Sequence, residues 1–119
     1  MSPGDPRRRF AVIPQRDDHT LVLQVTGDLD VLTAPTLATH LDIGLTGGPS
    51  VLIVDLTEVD FLSSAGISVL VETHRLTERA DISLRVVADS PATSRPIRLM
   101  NVDEIIDLYP SMDEALRGR

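Results

Sequence analysis

The sequence is constrained first by what it lacks. It has no cysteine, which excludes disulfides, thiolate metal sites and cysteine nucleophiles together. It has no lysine either, so every cation other than histidine is an arginine. A Schiff-base lysine and the lysine of a phosphate-binding loop are thereby ruled out. The only aromatics are Phe10, Phe61 and Tyr109, leaving Leu, Val, Ile and Ala to build the core. No apolar run approaches the ~20 residues that a membrane-spanning helix needs. Residues 1–9 also lack the hydrophobic stretch of a secretion signal, so the expected location is the cytoplasm, with no membrane partner. Positive charge is scarce: the net charge is −7, which opposes binding to DNA, RNA or anionic lipid. Arg7, Arg8 and Arg9 form the one basic run, and beside a Pro- and Gly-containing start they read as part of a solvated tail.

What remains is a chain of 119 residues, 42% of them hydrophobic, enough for one core but not two. Residues 1–8 are expected to be a flexible tail and residues 9–119 a single domain. Phe10 to Ile13 predicts a short strand closed by Pro14, with a turn at Asp17 and Asp18. Thr20 to Thr26 alternates Leu21, Leu23 and Val25 on one face, although Val22 weakens the pattern, and Gly27 and Asp28 are expected to end the strand. Thr33 and Pro35 are an N-cap and a first-turn proline for a helix of about ten residues carrying Ala34, Leu37, Ala38 and Leu41 at helical spacing. Gly44 to Pro49 reads as a loop whose glycines serve turns. Val51 to Leu56 has almost no polar alternation and suits a central strand covered on both faces. Ser83 to Ala88 predicts another strand. Ser90 and Pro91 suggest a helix start, but Pro96 requires either a later start near Ser94 or a bend. Glu104 to Leu108 predicts a last short strand, and Ser111 with Glu114 a capping box for a terminal helix. Strands alternating with helices imply right-handed crossovers and a largely parallel sheet, with the tandem strands at the start allowing an antiparallel edge.

The most informative stretch is VLIVDLTEVDFLSSAGISVL, Val51 to Leu70. A buried strand ends in acidic residues, and Ser63 and Ser64 stand before a helix expected to begin near Ala65, with Ile67, Leu70 and Val71 on its apolar stripe. Taken alone, a serine in this position is a capping residue. The same position also tolerates an anion, because the first turn of a helix has unpaired amides and a favourable dipole.

In order along the chain, VTGDLDVLTAPTL (Val25 to Leu37), the Val51–Leu70 segment and LRVVADSPA followed by a short terminal helix resemble the STAS domain of bacterial anti-anti-sigma factors. The resemblance covers nearly the whole chain from Phe10. It implies an α/β fold with a four- to five-stranded, mostly parallel or mixed sheet and helices packed mainly on one face. It also implies partner switching. The unmodified antagonist binds an anti-sigma factor, itself a serine kinase, and frees a sigma factor; phosphorylation of the antagonist abolishes that binding, and a serine phosphatase restores it. Alignment on Gly66 and on Phe61-Leu62 places the phosphoacceptor at Ser64, with Ser63 as the second candidate hydroxyl. The family commonly has aspartate before the acceptor and serine or threonine after it, where this chain has Ser63 and Ala65. The expected partner surface comprises Asp28, Asp30, Asp60, Ser63, Ser64, Ala65 and Gly66, the last for the room it leaves a partner at the helix start. No cofactor or metal is implied, and the oligomeric state is open.

Three other readings compete. A STAS-like adaptor of a transporter, lipid-handling or signalling assembly would keep the fold without the switch. An enzyme with Ser64 as nucleophile has Gly66 after the serine but Leu62 where a nucleophile elbow needs glycine, and needs His19, His40 or His74 as base. A receiver-like domain phosphorylated on Asp55, read as a strand end, lacks the early acidic pair that would hold magnesium. Asp60 is expected in a turn.

Overall fold

The computed structural model describes residues 9–118; the expected tail over residues 1–8 lies outside them. Strands β1 (Ala11–Asp17) and β2 (Thr20–Leu29) form a hairpin. Helix α1 (Ala34–Thr46) leads to β3 (Val51–Leu62) and α2 (Ser64–Arg79) to β4 (Ser83–Val87). Helix α3 (Pro91–Leu99) and a 3-10 turn at Val102–Glu104 lead to β5 (Asp107–Tyr109), followed by α4 (Met112–Arg117). The sheet order is β1-β2-β3-β4-β5, antiparallel at β1 and parallel elsewhere. No helix among the described residues is long and apolar enough to cross a membrane.

Sequential parallel strands joined by right-handed crossovers place every crossover helix on the same face. Leu37 and Leu41 of α1, Ile67 and Leu70 of α2 and Ile97 of α3 accordingly share one core with Leu21, Leu23, Leu52, Val54, Leu84 and Val86 of the sheet. The opposite face is covered by α4, where Ala115 joins Ile53, Val87 and Tyr109, with Val22, Val51 and Met112 packed against them. Val22 therefore breaks the alternation of β2 because its side of the sheet is also covered. Leu52 to Leu56 of β3 is buried throughout, as a strand between two apolar layers must be.

Several elements run further than their residues predict. Pro14 does not close β1 but lies inside it, opposite Leu23; among the described residues β1 is the edge strand, where a missing N–H is tolerated. Gly27 and Asp28 do not end β2: Gly27 has φ 92° beside a register shift against β3, so the glycine serves a bulge and the strand continues to Leu29. Gly44 belongs to α1 rather than a loop, and a Cβ there would lie 2.5 Å from Leu21 Cδ2. That glycine lets the helix sit close on the sheet. Asp55 and Asp60 both lie within β3, Asp55 buried and Asp60 exposed. The Asp55 carboxylate accepts from Thr57 N–H at 3.0 Å, which satisfies it locally. Helix α3 starts at Pro91 and runs through Pro96, its buried Thr93 and Ile97 offsetting the proline's cost. Glu104 falls in the 3-10 turn rather than a strand: Asn101 takes φ 59°, and Val102 and Ile106 are buried at helical spacing, so β5 is left with Asp107–Tyr109.

Candidate functional site

The carboxyl ends of β2 and β3 lie side by side, with Leu29 opposite Leu62. The two chain exits are joined directly, because Ser63 N–H donates to the Leu29 carbonyl at 2.9 Å. Ser63 is extended (φ −91°, ψ 171°) and caps α2, its hydroxyl accepting from Gly66 N–H at 3.5 Å, a long and weak bond. Helix α2 begins one residue earlier than expected, at Ser64, and this first helical residue is exposed. Ser63 and Ala65 are half-buried.

Gly66 points the other way. It is buried, and a Cβ built on it would lie 2.7 Å from Leu29 Cγ and 2.9 Å from both Leu29 Cδ2 and Leu62 Cδ1. The expectation that Gly66 leaves room for a partner is corrected: it leaves room for the core. Leu29 thus holds the start of α2 twice, through its carbonyl on Ser63 and its side chain against Gly66.

The loop leaving β2 is built by its own polar groups. Asp30 Oδ1 accepts from Leu32 N–H at 3.0 Å and from Thr33 N–H at 3.1 Å, an aspartate-closed turn. Thr33 occupies the N-cap position of α1 but makes no side-chain bond to the helix. Its hydroxyl donates to the Asp28 carbonyl at 2.7 Å and accepts from Asp30 N–H at 2.9 Å. Asp28 and Asp30 are half-buried, whereas Asp60 is exposed beside them at the end of β3.

Residue-by-residue reading missed the apolar part of this surface. Val31 is 71% exposed, Leu32 84% and Phe61 53%. A signal was present: Val31 and Leu32 precede Thr33, the expected N-cap, so they lie outside the helix whose stripe is Ala34, Leu37 and Leu41. Each would gain roughly 1–2 kcal/mol on being covered, before the costs of association. Apolar side chains next to an acidic fringe suit a protein partner better than a small molecule. The sheet also offers no crevice of the kind found where strand order reverses, since its order never reverses.

The histidines do not converge on Ser64. His74 lies further down the same helix by about 15 Å at ~1.5 Å per residue. His19 is at the opposite end of the sheet, its carbonyl accepting from Ser50 and Val51 N–H at the start of β3. His40 Nδ1 lies 2.9 Å from the Thr36 carbonyl within α1.

Comparison with known proteins agrees with this architecture. The profile of the STAS domain matches residues 11–115. The anti-sigma-F factor antagonist RsfB of Mycobacterium tuberculosis is 33% identical over 103 residues, spanning 85% of this chain and 84% of that protein. The anti-sigma-B factor antagonist of Listeria monocytogenes is 27% identical over 96 residues, 81% of this chain and 84% of its own length. The crystal structure of an anti-sigma factor antagonist from Mycobacterium paratuberculosis superposes with a TM-score of 0.87 at 34% identity, covering 92% of this chain and 93% of that one.

Proposed function

The chain belongs to the STAS domain family, and on that footing we propose that it is an anti-sigma factor antagonist whose binding is controlled at Ser64. It binds an anti-sigma factor that is also a serine kinase and so releases the sigma factor held there. Phosphorylation of Ser64 ends the binding, and a serine phosphatase acting on the phosphorylated form restores it. The role is regulatory and not enzymatic. The observation that carries the reading is an exposed serine at the first position of α2, on a surface shared with exposed Val31, Leu32 and Phe61. Ser63 is the weaker acceptor, being half-buried and engaged as the cap.

The physics of the switch is local. The amides and dipole of the first turn favour an anion by about 0.3–1 kcal/mol, so phosphoserine at 64 leaves the domain folded. The phosphate brings about −1.5 to −2 charges to a surface already carrying Asp28, Asp30 and Asp60. Desolvating or repelling that charge against a closely packed partner costs several kcal/mol, and each ~1.4 kcal/mol is a tenfold loss of affinity. The partner surface is therefore Asp28, Asp30, Asp60, Ser63, Ser64 and Ala65 together with the three exposed apolar side chains, with Gly66 behind it as packing.

A pull-down from native lysate with wild type, Ser64→Ala and Ser64→Glu, read by mass spectrometry, tests the proposal. The expected result is capture of an ATPase-type anti-sigma factor by wild type and Ser64→Ala, lost with Ser64→Glu. Equal capture by all three would remove the charge switch from Ser64. Capture of transporter subunits instead would turn the reading to an adaptor.

A further inference from the structure

We propose that Thr33 is a positioning residue for partner binding, a role that rests on the antagonist reading above. Its hydroxyl clasps the β2–α1 loop and so presents Val31 and Leu32 in register with the start of α2. Asp30 caps the turn that leads into α1, its carboxylate accepting from Leu32 and Thr33 N–H and its carbonyl from Ala34 N–H at 2.8 Å. The Thr33 backbone is already helical (φ −99°, ψ −20°), and its hydroxyl makes no cap bond to α1. Its hydroxyl turns back instead, donating to the Asp28 carbonyl at 2.7 Å and accepting from Asp30 N–H at 2.9 Å. These two groups flank Leu29, whose carbonyl receives Ser63 N–H at 2.9 Å and whose side chain abuts Gly66. One hydroxyl therefore fixes both neighbours of the residue that locks the phosphoacceptor segment.

Asp30 supplies the other restraints on the loop. Val31 and Leu32 are 71% and 84% exposed, so packing within the domain does not set their positions. The remaining restraints are both on Asp30: its carbonyl accepts from Ala34 N–H at 2.8 Å, and its carboxylate accepts from Leu32 and Thr33 N–H and lies within 3.2 Å of the Thr33 hydroxyl. A loop of exposed apolar side chains held by its own hydrogen bonds is pre-organised: the ordering that a flexible loop would undergo on binding has already occurred in folding.

The test uses the full chain and two measurements. In the free protein, Thr33→Val keeps the shape but removes donor and acceptor; it is expected to lower the amide order parameters and hydrogen-exchange protection of Val31 and Leu32. Thr33→Ser, which keeps the hydroxyl, is expected to restore them. Against the anti-sigma factor recovered in the pull-down, Thr33→Val is expected to weaken binding about tenfold and Thr33→Ser to bind like wild type. A double-mutant cycle with Leu32→Ala separates positioning from bulk stability. Leu32→Ala should lose much of its effect in the Thr33→Val background, because a loosened loop no longer delivers Leu32. Unchanged loop dynamics in Thr33→Val overturn the clasp. A loosened loop with fully additive effects on affinity overturns the positioning role. A wild-type chain that binds no anti-sigma factor overturns the antagonist reading itself, which the Ser64 variants report separately.

Discussion

Alanine at Gly66 would probe the joint on which the candidate surface is built. The new methyl group would lie 2.7 Å from Leu29 Cγ and 2.9 Å from Leu29 Cδ2 and Leu62 Cδ1. Neither neighbour can yield into solvent, since Leu29 is 0% and Leu62 4% exposed. Overpacking of this kind costs about 1–3 kcal/mol. Against it stands a helix-propensity gain of at most about 1 kcal/mol over glycine, reduced here because the residue lies in the first turn. The net expectation is a loss of about 1–2 kcal/mol, with a melting temperature lower by roughly 3–6 °C for each kcal/mol in a domain of this size. Urea unfolding followed by far-UV circular dichroism suits a chain without tryptophan, and the denaturant slope should not change. Gly47→Ala is the matched control. There φ is an ordinary −75°, and the new Cβ meets the Gly44 carbonyl oxygen at an ordinary contact distance of 3.4 Å and the guanidinium of exposed Arg16, at 2.5 Å from Nη2. That tip can swing away, so the control should be neutral or stabilised by up to about 1 kcal/mol. Equal or higher stability of Gly66→Ala relative to wild type would refute the packing argument.

Other substitutions separate charge, packing and tethering. Asp30→Asn retains an oxygen for the amides of Leu32 and Thr33 and should leave loop protection intact by hydrogen exchange, whereas Asp30→Ala should lose it. Arg85→Met removes the bond from Nη1 to the Ala115 carbonyl at 2.7 Å, which ties α4 to the sheet. The expected cost is about 1–2 kcal/mol, visible as faster exchange in α4 with α1 and α2 unaffected. Leu37→Ala, at a position that is 0% exposed, should cost about 2–5 kcal/mol in a urea melt through the cavity it leaves.

Much of this protein is legible from one dimension, because hydrophobic periodicity and capping chemistry are local properties. The alternation of Leu21, Leu23 and Val25, the spacing of Leu37 and Leu41, and the unbroken apolar run of β3 specify strands and helices through the geometry of the backbone. Ser63 as a cap and Ser111 accepting from Glu114 N–H at 3.2 Å follow from the same local rules. The antiparallel edge and the parallel remainder follow from the order of elements. Ser64, Asp28, Asp30 and Asp60 could be named only as a candidate site, from their place in a recognisable pattern.

What tertiary structure alone decided concerns the small residues and the exposed apolar ones. Gly27, Gly44 and Gly66 look alike as letters, yet one relieves a bulge, one admits Leu21 and one admits Leu29 and Leu62. Each role depends on a neighbour distant in sequence. Pro14 is tolerated in a strand because, among the described residues, that strand is the edge of the sheet. Thr33 carries the sequence signature of an N-cap, but its hydroxyl turns back to the end of β2, a choice made by where Asp28 and Asp30 stand in space. Val31, Leu32 and Phe61 become a surface only when two parallel strands end together. Local sequence sets which conformations a segment prefers; which groups then meet depends on the packing of segments that are far apart in the chain.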